Sequence, residues 1–183
     1  MDVLGNKRVA PDSWDFETHA EGPAGKIEFS AKMLISEPSG NIFAQSQNVG
    51  MGWDPKKLWG TQYMILSTMG GMRSDDGTPI ALGHHTGHFE LGMLIKTAAE
   101  QIQEMGGVPY TAYCSDPCDG RSQGTSGMMD SLPYRNDAAI VMRRLSRSIP
   151  TTKGVLGIAT CDKGLPAMML SLIHISEPTR PIH

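Results

Sequence analysis

The pattern of apolar and polar positions divides the chain into two unlike parts. Over the first sixty residues there is no sustained period, and glycine and proline recur at short intervals, as in Gly22-Pro23 and Gly50-Met51-Gly52. Such residues interrupt helices and strands. We therefore expect an irregular amino-terminal arm with short elements over residues 1–60, anchored by three tryptophans, Trp14, Trp53 and Trp59.

The pattern changes beyond residue 60. The apolar run TQYMILSTMG (61–70) is too short for its period to distinguish a strand from a helix, and Asp75-Asp76-Gly77 predicts a turn. Three short apolar runs then predict strands, at residues 79–82, 108–114 and 155–159. After the first two runs, apolar residues recur at helical spacing and predict helices at 88–105 and 136–148. After the third run, a helix is expected to begin beyond Cys161. A polar loop is predicted over 115–132, between the second strand and its helix.

Strands that alternate with helices of this length predict an α/β fold, here a partial parallel sheet flanked by helices over residues 61–169. In such sheets, ligands bind beyond the carboxyl ends of the strands. Polar clusters follow all three predicted strands, namely His84, His85 and His88, then residues 115–120, then residues 160–163. We therefore expect three metal-capable clusters to meet at one edge of the sheet.

The residue types in these clusters indicate two kinds of metal chemistry. The carboxylates of Asp119 and Asp162 suit a hard cation such as magnesium. The thiolate of Cys161 suits a soft centre, either zinc or an iron–sulfur cluster. Each residue also has a simpler interpretation, because Asp at the end of a strand often caps a helix and a single Cys often packs as a small apolar residue.

A second class of protein fits some of the same residues. A small zinc-binding or structural module would use a quartet of side chains, His84, His88, Cys114 and Cys118. The glutamate of an HExxH motif is missing, and the CxxxC spacing of the two cysteines is a weak signal. Phosphate binding by the glycines of residues 120–127 lacks the lysine of a P-loop.

Composition excludes several functions. With a net charge of −3, the 183 residues carry no basic footprint, so we expect no nucleic-acid partner. Neither an apolar run of membrane-spanning length nor a signal-peptide core is found, which predicts no membrane partner and a cytoplasmic location. Three cysteines do not form an oxidised secreted framework and suggest reduced thiols.

The end of the chain has a different origin in our interpretation. The run LSLIHISEPTR (170–180) resembles one reading frame of the adapter DNA used in transposase-based sequencing libraries. We therefore expect residues 170–183 to be a non-native tail, and the native sequence to be interrupted after Met169.

Two long motifs resemble a known family. The stretches CDGRSQGTSGMMDSLPYRNDAAIVMRRL (118–145) and TCDKGLPAMM (160–169) are similar to the dihydroxy-acid dehydratase and phosphogluconate dehydratase family. The segments THAEGPAGKI, PSGNIFAQSQNVGMGW (38–53) and HTGHFELG (85–92) resemble its sugar-acid branch, which includes the D-xylonate dehydratases. The resemblance covers nearly all of residues 18–169.

The resemblance implies a lyase that removes water from a 2,3-dihydroxy acid to give a 2-keto-3-deoxy acid. It implies an iron–sulfur cluster, [2Fe–2S] or [4Fe–4S], with Cys161 as a ligand. It also implies magnesium held by Asp119, Asp162 and a carbamylated Lys163. Where many members place the first cluster cysteine, this chain has His85, which would either replace that thiolate or line the substrate pocket. Cys118 matches no common cluster ligand of the family.

The resemblance also implies that parts of the enzyme are missing from these residues. In the family a third cluster cysteine, a further metal ligand and the proton-abstracting base lie beyond the position of Met169. We therefore expect no catalytic base within this chain, an inactive fragment, and a full-length homo-oligomer that acts on a sugar acid such as D-xylonate. The alternative within the family is a branched-chain dihydroxy-acid dehydratase.

Overall fold

A computed structural model describes Ile27 and residues 30–176. They belong to two compact units, which meet in sequence between Trp59 and Gly60. In its described part the first unit contains two helices and a 3-10 turn: α1 (Ala31–Ser36), α2 (Ser39–Gly50) and Pro55–Lys57. The second unit contains β1 (Gln62–Ser67), β2 (Met72–Arg73), β3 (Pro79–Ala81), α3 (Thr86–Glu104), β4 (Val108–Tyr113), α4 (Asp119–Ser122), a 3-10 helix (Ser126–Asp130), α5 (Ser131–Arg147), β5 (Gly154–Ile158) and α6 (Gly164–Ser176).

The described part of the first unit contains a capped helix. The Ser30 hydroxyl accepts a hydrogen bond from the Met33 N–H and so starts α1. At 12 residues, α2 is longer than the short elements predicted for this segment, because an internal glycine weakens a helix by only about 1 kcal/mol. Of the tryptophans predicted to anchor the arm, Trp14 lies outside the described residues and Trp59 is exposed.

The second unit is built on a parallel sheet of three strands in the order β4-β1-β5. The central strand β1 pairs along its length with β4, and Tyr63 to Ser67 pair with β5. Ile65 packs with α3, whereas the next residue, Leu66, packs with α5 and α6. Since successive side chains of a strand point to opposite faces, α3 covers one face of the sheet and α5 with α6 covers the other. The predicted α/β class, a parallel sheet flanked by helices, is confirmed.

Burial on both faces explains the apolar run in β1. Met64, Ile65 and Leu66 are all fully buried. A central strand of a parallel sheet has no solvent face, so its residues do not alternate between apolar and polar. The apolar run at 61–70, which could have been a strand or a helix, therefore contains the central strand of the sheet.

The run at 79–82 contains a strand, as predicted, but its predicted burial and its place in the parallel sheet are wrong. Residues Pro79–Ala81 form β3, which pairs antiparallel with β2 in a separate two-stranded hairpin. Ile80 and Leu82 are exposed. Pro79 has no N–H to donate to a neighbouring strand, which favours an edge position. The predicted turn lies in this hairpin, where the Asp76 carboxylate accepts a hydrogen bond from the Thr78 N–H.

The helices of the second unit agree better with the sequence predictions than the strand at 79–82 does. The apolar stripe predicted for α3 is Leu91, Leu94, Ile95, Ala98, Ile102 and Met105. Leu91, Ile95 and Ile102 are buried, but Leu94 and Met105 are exposed, and Gly106 follows the helix with a φ of +77°. In α5 the buried residues are Ser131, Ala138, Met142 and Ser146. That helix begins five residues earlier than predicted, and the polar segment before it contains α4 and a 3-10 helix.

The last described helix crosses the predicted end of the native sequence. α6 continues from Gly164 to Ser176, and Ser171 is buried with its hydroxyl donating to the Met168 carbonyl. The adapter origin of residues 170–183 stays a prediction. In the described part of the chain, no helix combines the length and the apolar character that crossing a membrane requires.

Candidate metal and cluster site

Backbone hydrogen bonds hold together the chain segments that leave the three parallel strands. The Cys114 N–H donates to the Ser67 carbonyl, and the Thr68 N–H donates to the Ile158 carbonyl. The buried Thr68 hydroxyl accepts a hydrogen bond from the Thr160 N–H. We call this edge, where β1, β4 and β5 end, the carboxyl rim.

The histidine segment reaches the carboxyl rim by a different route from the one predicted. It does not follow a strand of the parallel sheet, because β3 lies outside that sheet. Instead the Gly70 N–H, just beyond β1, donates to the carbonyl of His88 in the first turn of α3. The three polar clusters predicted from the sequence therefore lie at one edge of the sheet.

Cys161 occupies a strained turn between β5 and α6. Its φ of +69° is the single positive value among the described non-glycine residues, and its carbonyl accepts from the Leu165 N–H in the first turn of α6. A left-handed backbone is uncommon for residues other than glycine. Burial raises the pKa of the Cys161 thiol to about 11, with the thiol of Cys118 acting in the same direction. A metal that binds this sulfur must therefore displace a proton.

Three potential soft-metal ligands converge at this turn. The Sγ atom of Cys161 and one ring nitrogen each of His85 and His88 lie within 4.8 Å of one another. The rings of His85 and His88 meet edge to face, with centroids 4.2 Å apart. Among the described residues, no other group of three or more His, Cys, Asp or Glu side chains brings its ligand atoms this close together.

His85 also has a structural role that its sequence position did not reveal. It is the N-cap of α3, and its Nδ1 accepts a hydrogen bond of 2.8 Å from the Gly87 N–H. The first N–H groups of a helix lack partners within the helix, so this contact stabilises the start of α3. His84 beside it is exposed, and its carbonyl accepts from the Arg121 side chain.

His88 and Asp116 form a buried pair that the sequence did not identify. Nε2 of His88 lies 2.6 Å from Oδ1 of Asp116, and both side chains are 0% exposed. Burial raises the pKa of the Asp116 carboxyl group, and His88 opposes that shift. The remaining polar atoms, Nδ1 of His88 and Oδ2 of Asp116, have no hydrogen-bond partner. The available signal for Asp116 was its position three residues after the end of β4.

The carboxylates predicted to bind magnesium converge on one lysine. Nζ of Lys163 lies 2.5 Å from Oδ2 of Asp119 and 3.1 Å from Oδ2 of Asp162. The Ser131 hydroxyl also donates to Asp119. Hydrogen bonding with the Asp119 carboxyl group, and then with Lys163, lowers the pKa of Asp162 to about 2. The same two carboxyl groups raise the pKa of Lys163. The cluster therefore holds a positive charge between two carboxylates.

The zinc quartet of the alternative interpretation does not form. His84, His88, Cys114 and Cys118 are all described, but they do not belong to one convergent ligand group. Only His88 is shared with the observed group.

Comparison with known proteins connects this rim to a family. The family model described as dihydroxy-acid/6-phosphogluconate dehydratase, N-terminal, matches residues 81–182, more than half of the chain. The chain belongs to this family. The dehydratase match begins within β3 and includes every residue of the carboxyl rim to which the sequence assigned a role.

Individual members of the dehydratase family agree with the sugar-acid resemblance. The chain is 61% identical to D-xylonate dehydratase YagF of Escherichia coli K12 over 155 residues, which are 85% of this chain and 24% of that protein. It is 55% identical to D-xylonate dehydratase YjhG of the same strain over 161 residues, and 30% identical to a dihydroxy-acid dehydratase of Archaeoglobus fulgidus over 92 residues. The chain spans about a quarter of the length of the two D-xylonate dehydratases. The resemblance to the family and to its sugar-acid branch is confirmed.

Proposed function

We propose that this chain is the amino-terminal part of a sugar-acid dehydratase, a lyase that converts an aldonate such as D-xylonate to a 2-keto-3-deoxy acid. The observation that carries the proposal is the contact, at one rim, of the Cys161 sulfur with Asp162, which belongs to the cluster of Asp119, Asp162 and Lys163. These are the residues to which the family resemblance gives cluster and magnesium roles. The 61% identity to a D-xylonate dehydratase supports the choice of substrate.

The residues beside Cys161 fit an iron–sulfur cluster. A thiol sulfur and imidazole nitrogens are ligands that iron accepts in such clusters. One of these imidazoles, His88, has a buried nitrogen without a hydrogen-bond partner. Buried polar atoms rarely lack a partner, so an unmet nitrogen on an imidazole of this group supports a metal ligand at this place.

The carboxylate cluster fits magnesium once Lys163 is modified. Asp119 and Asp162 converge on a cation, here the ammonium group of Lys163. Carbamylation would replace that positive charge with a third carboxylate at the same point. Three oxygen donors, with water and substrate in the other positions, suit magnesium. Because both neighbours raise the pKa of Lys163, the neutral amine needed for carbamylation becomes available only as the pH rises.

The reaction removes a proton from C2 and the hydroxyl group from C3 of the acid, and the resulting enol takes up a proton at C3 to give the ketone. When bound, the cluster and magnesium supply Lewis-acid stabilisation of the leaving oxygen and of the developing negative charge. The residues of this chain would hold these metal groups and orient their ligands. Ser131 positions Asp119 by a hydrogen bond, and the strained turn at Cys161 presents its sulfur beside Asp162.

We also propose that these 183 residues do not catalyse the reaction alone. The further cysteine, metal ligand and base implied by the resemblance have no counterpart in the motifs of this chain, which spans about a quarter of its D-xylonate dehydratase relatives. The test compares the longer gene product with this chain, after anaerobic reconstitution with iron, sulfide and magnesium. Formation of a 2-keto-3-deoxy acid from D-xylonate by the longer protein alone supports the proposal. Preference for 2,3-dihydroxy-isovalerate contradicts the sugar-acid assignment.

A test that needs no turnover examines the magnesium cluster in this chain. With magnesium and ¹³C-labelled bicarbonate, Lys163 is expected to give a carbamate signal in the ¹³C NMR spectrum. The matched variants are Lys163→Met, which removes the amine, and Lys153→Met, which removes a lysine outside the cluster. A carbamate signal that survives in Lys163→Met contradicts the assignment. One tightly held zinc ion that is kept when Cys161 is replaced by serine, with no iron after reconstitution, supports the zinc-binding module instead.

A further inference from the structure

The family resemblance assigns no role to the buried His88–Asp116 pair. Both side chains are completely buried, and each has one polar atom without a partner. A buried carboxylate is costly unless a positive charge or several hydrogen bonds compensate it. The pair also lies at the one place in the described structure where soft ligands converge, beside Cys161.

Hydrogen positions follow from the partners of the two histidines. Nε2 of His88 faces Asp116 at 2.6 Å, and a carboxylate can only accept, so Nε2 carries the hydrogen. In the neutral imidazole, Nδ1 of His88 then has a free lone pair. A carboxylate that holds the second nitrogen of an imidazole in this way is the usual support of a metal-binding histidine.

His85 has the opposite arrangement. Its Nδ1 accepts from the Gly87 N–H, so the lone pair of that nitrogen is already used. A neutral imidazole has one donor and one acceptor nitrogen, which places the hydrogen of His85 on Nε2. To bind a metal through Nε2, His85 would have to lose its cap contact with α3.

We propose that His88, held by Asp116, is the imidazole ligand of the thiophilic metal centre at Cys161, which a single divalent ion can probe, and that His85 caps α3 and donates a hydrogen bond instead of binding the metal. Metal on Nδ1 would satisfy the unmet nitrogen and compensate the buried carboxylate. The inference rests on the proposal that Cys161 is a metal ligand, but it does not depend on dehydratase activity. Of the two roles left open for His85, cluster ligand or lining of the substrate pocket, it rejects the first and gives the role of imidazole ligand to His88.

Cobalt(II) is the probe, because a thiolate ligand gives a sulfur-to-cobalt charge-transfer band. The chain is titrated under anaerobic, reducing conditions. His88→Gln keeps an amide nitrogen where Nε2 faces Asp116 but lacks Nδ1, so cobalt affinity is expected to fall about tenfold or more. Asp116→Asn is expected to weaken binding about 10- to 100-fold. His85→Gln and the exposed control His84→Gln are expected to bind as the unmodified chain does.

The outcomes separate this inference from the assignment of Cys161. If Cys161→Ser keeps the charge-transfer band while Cys118→Ser loses it, the ligand role of Cys161 in the proposed function is wrong. If Cys161→Ser loses the band but His88→Gln binds cobalt normally and His85→Gln does not, the inference is overturned and His85 is the ligand. Absence of cobalt binding by the unmodified chain also overturns it.

A second measurement avoids any substitution of a buried residue. Long-range ¹H–¹⁵N correlation spectra of the unmodified, metal-free chain should show the Nε2–H tautomer for both His85 and His88. On addition of zinc, the Nδ1 resonance of His88 is expected to shift, while the His85 nitrogens keep their tautomer. A zinc-dependent change of tautomer at His85, with His88 unchanged, contradicts the inference.

Discussion

The ammonium nitrogen of Lys163 lies 2.5 Å from Oδ2 of Asp119, a contact that joins residues 44 positions apart in sequence. It connects the start of α4 to the loop before α6. Both side chains are largely buried, with 16% and 13% of their surface exposed. Ion pairs that are shielded from water are weakened less by salt than exposed ones. The pair therefore fixes two loops of the carboxyl rim relative to each other.

Lys163→Met is expected to lower the melting temperature, because it leaves Asp119 and Asp162 facing each other without the cation. In thermal unfolding, the double variant with Asp119→Asn should lose less stability than the two single changes added together, since they remove one shared contact. Lys96→Met is the control, because its pair with Glu100 is exposed and 3.9 Å long. Equal losses for Lys163→Met and Lys96→Met would contradict the role of the pair.

The β2–β3 hairpin is expected to respond to acid through Asp76. Hydrogen bonds from the Ser74 hydroxyl, and next from the Thr78 N–H, lower the pKa of Asp76 to about 2. The ionised form is thus favoured in the folded hairpin, and its stabilising contribution is complete above the ordinary pKa of about 3.8 and is lost as the pH falls through about 2.

The Thr78 amide resonance reports this transition in an NMR titration from pH 6 downward. Its midpoint is expected near pH 2, and Ser74→Ala should move it upward because the largest cause of the shift is removed. Asp76→Asn should abolish the transition. A midpoint that Ser74→Ala does not move would show that the Ser74 hydroxyl is not the cause.

Leu66→Ala is expected to reduce the free energy of unfolding by about 2–5 kcal/mol, because it opens a cavity among completely buried neighbours. Leu66 packs with Ala138 and Met142 of α5 and with Met168 of α6. The control is Leu156→Ala on β5, whose side chain is 45% exposed. Urea unfolding measures both, and similar losses would show that β1 is not the centre of the packing.

Gly164→Ala is expected to disturb the His88–Asp116 pair by pressing on the Asp116 carboxylate. An added Cβ would lie 2.7 Å from Oδ2 of Asp116, and this carboxylate cannot move into solvent because it is buried. We expect a loss of about 1–3 kcal/mol in the free energy of unfolding, as for other overpacked positions, together with weaker cobalt binding.

Gly40→Ala provides the matched change. Gly40 lies within α2, and nothing lies within 4 Å of an added Cβ. Alanine in a helix is favoured over glycine by about 0.5–1 kcal/mol, so this variant should be slightly more stable. If Gly164→Ala behaves like Gly40→Ala in calorimetry, the carboxylate is not held where the structure places it.

Sequence reasoning was most successful where a pattern acts locally. The helical spacing of apolar residues predicted a buried face of α3, which Leu91, Ile95 and Ile102 form, although Leu94 and Met105 of the same stripe are exposed. The polar residues after β4 and β5 predicted the carboxyl rim. Each inference depends on residues within a few helical turns or just beyond one strand.

The errors concern choices between partners that are distant in sequence. Two short apolar runs, residues 62–67 and 79–82, were both candidates for a strand of the parallel sheet. Pairing with β4 and β5 identifies the first run as that strand. Likewise, an imidazole before a helix can cap it or bind a metal. The Gly87 N–H and the buried Asp116 decide the roles of His85 and His88, and neither contact has a sequence signature.

The central position of β1 has a consequence for how the protein acquires its structure during synthesis. Its two neighbours follow it by about 45 and about 90 residues. At a translation rate of roughly 5–20 residues per second, β1 would leave the ribosome several seconds before β5. Its apolar residues would stay only partly covered during that interval, which is the period in which a nascent chain is most prone to aggregate and to recruit chaperones. Production of the protein should therefore depend on how quickly β5 follows, a kinetic constraint that the finished fold conceals.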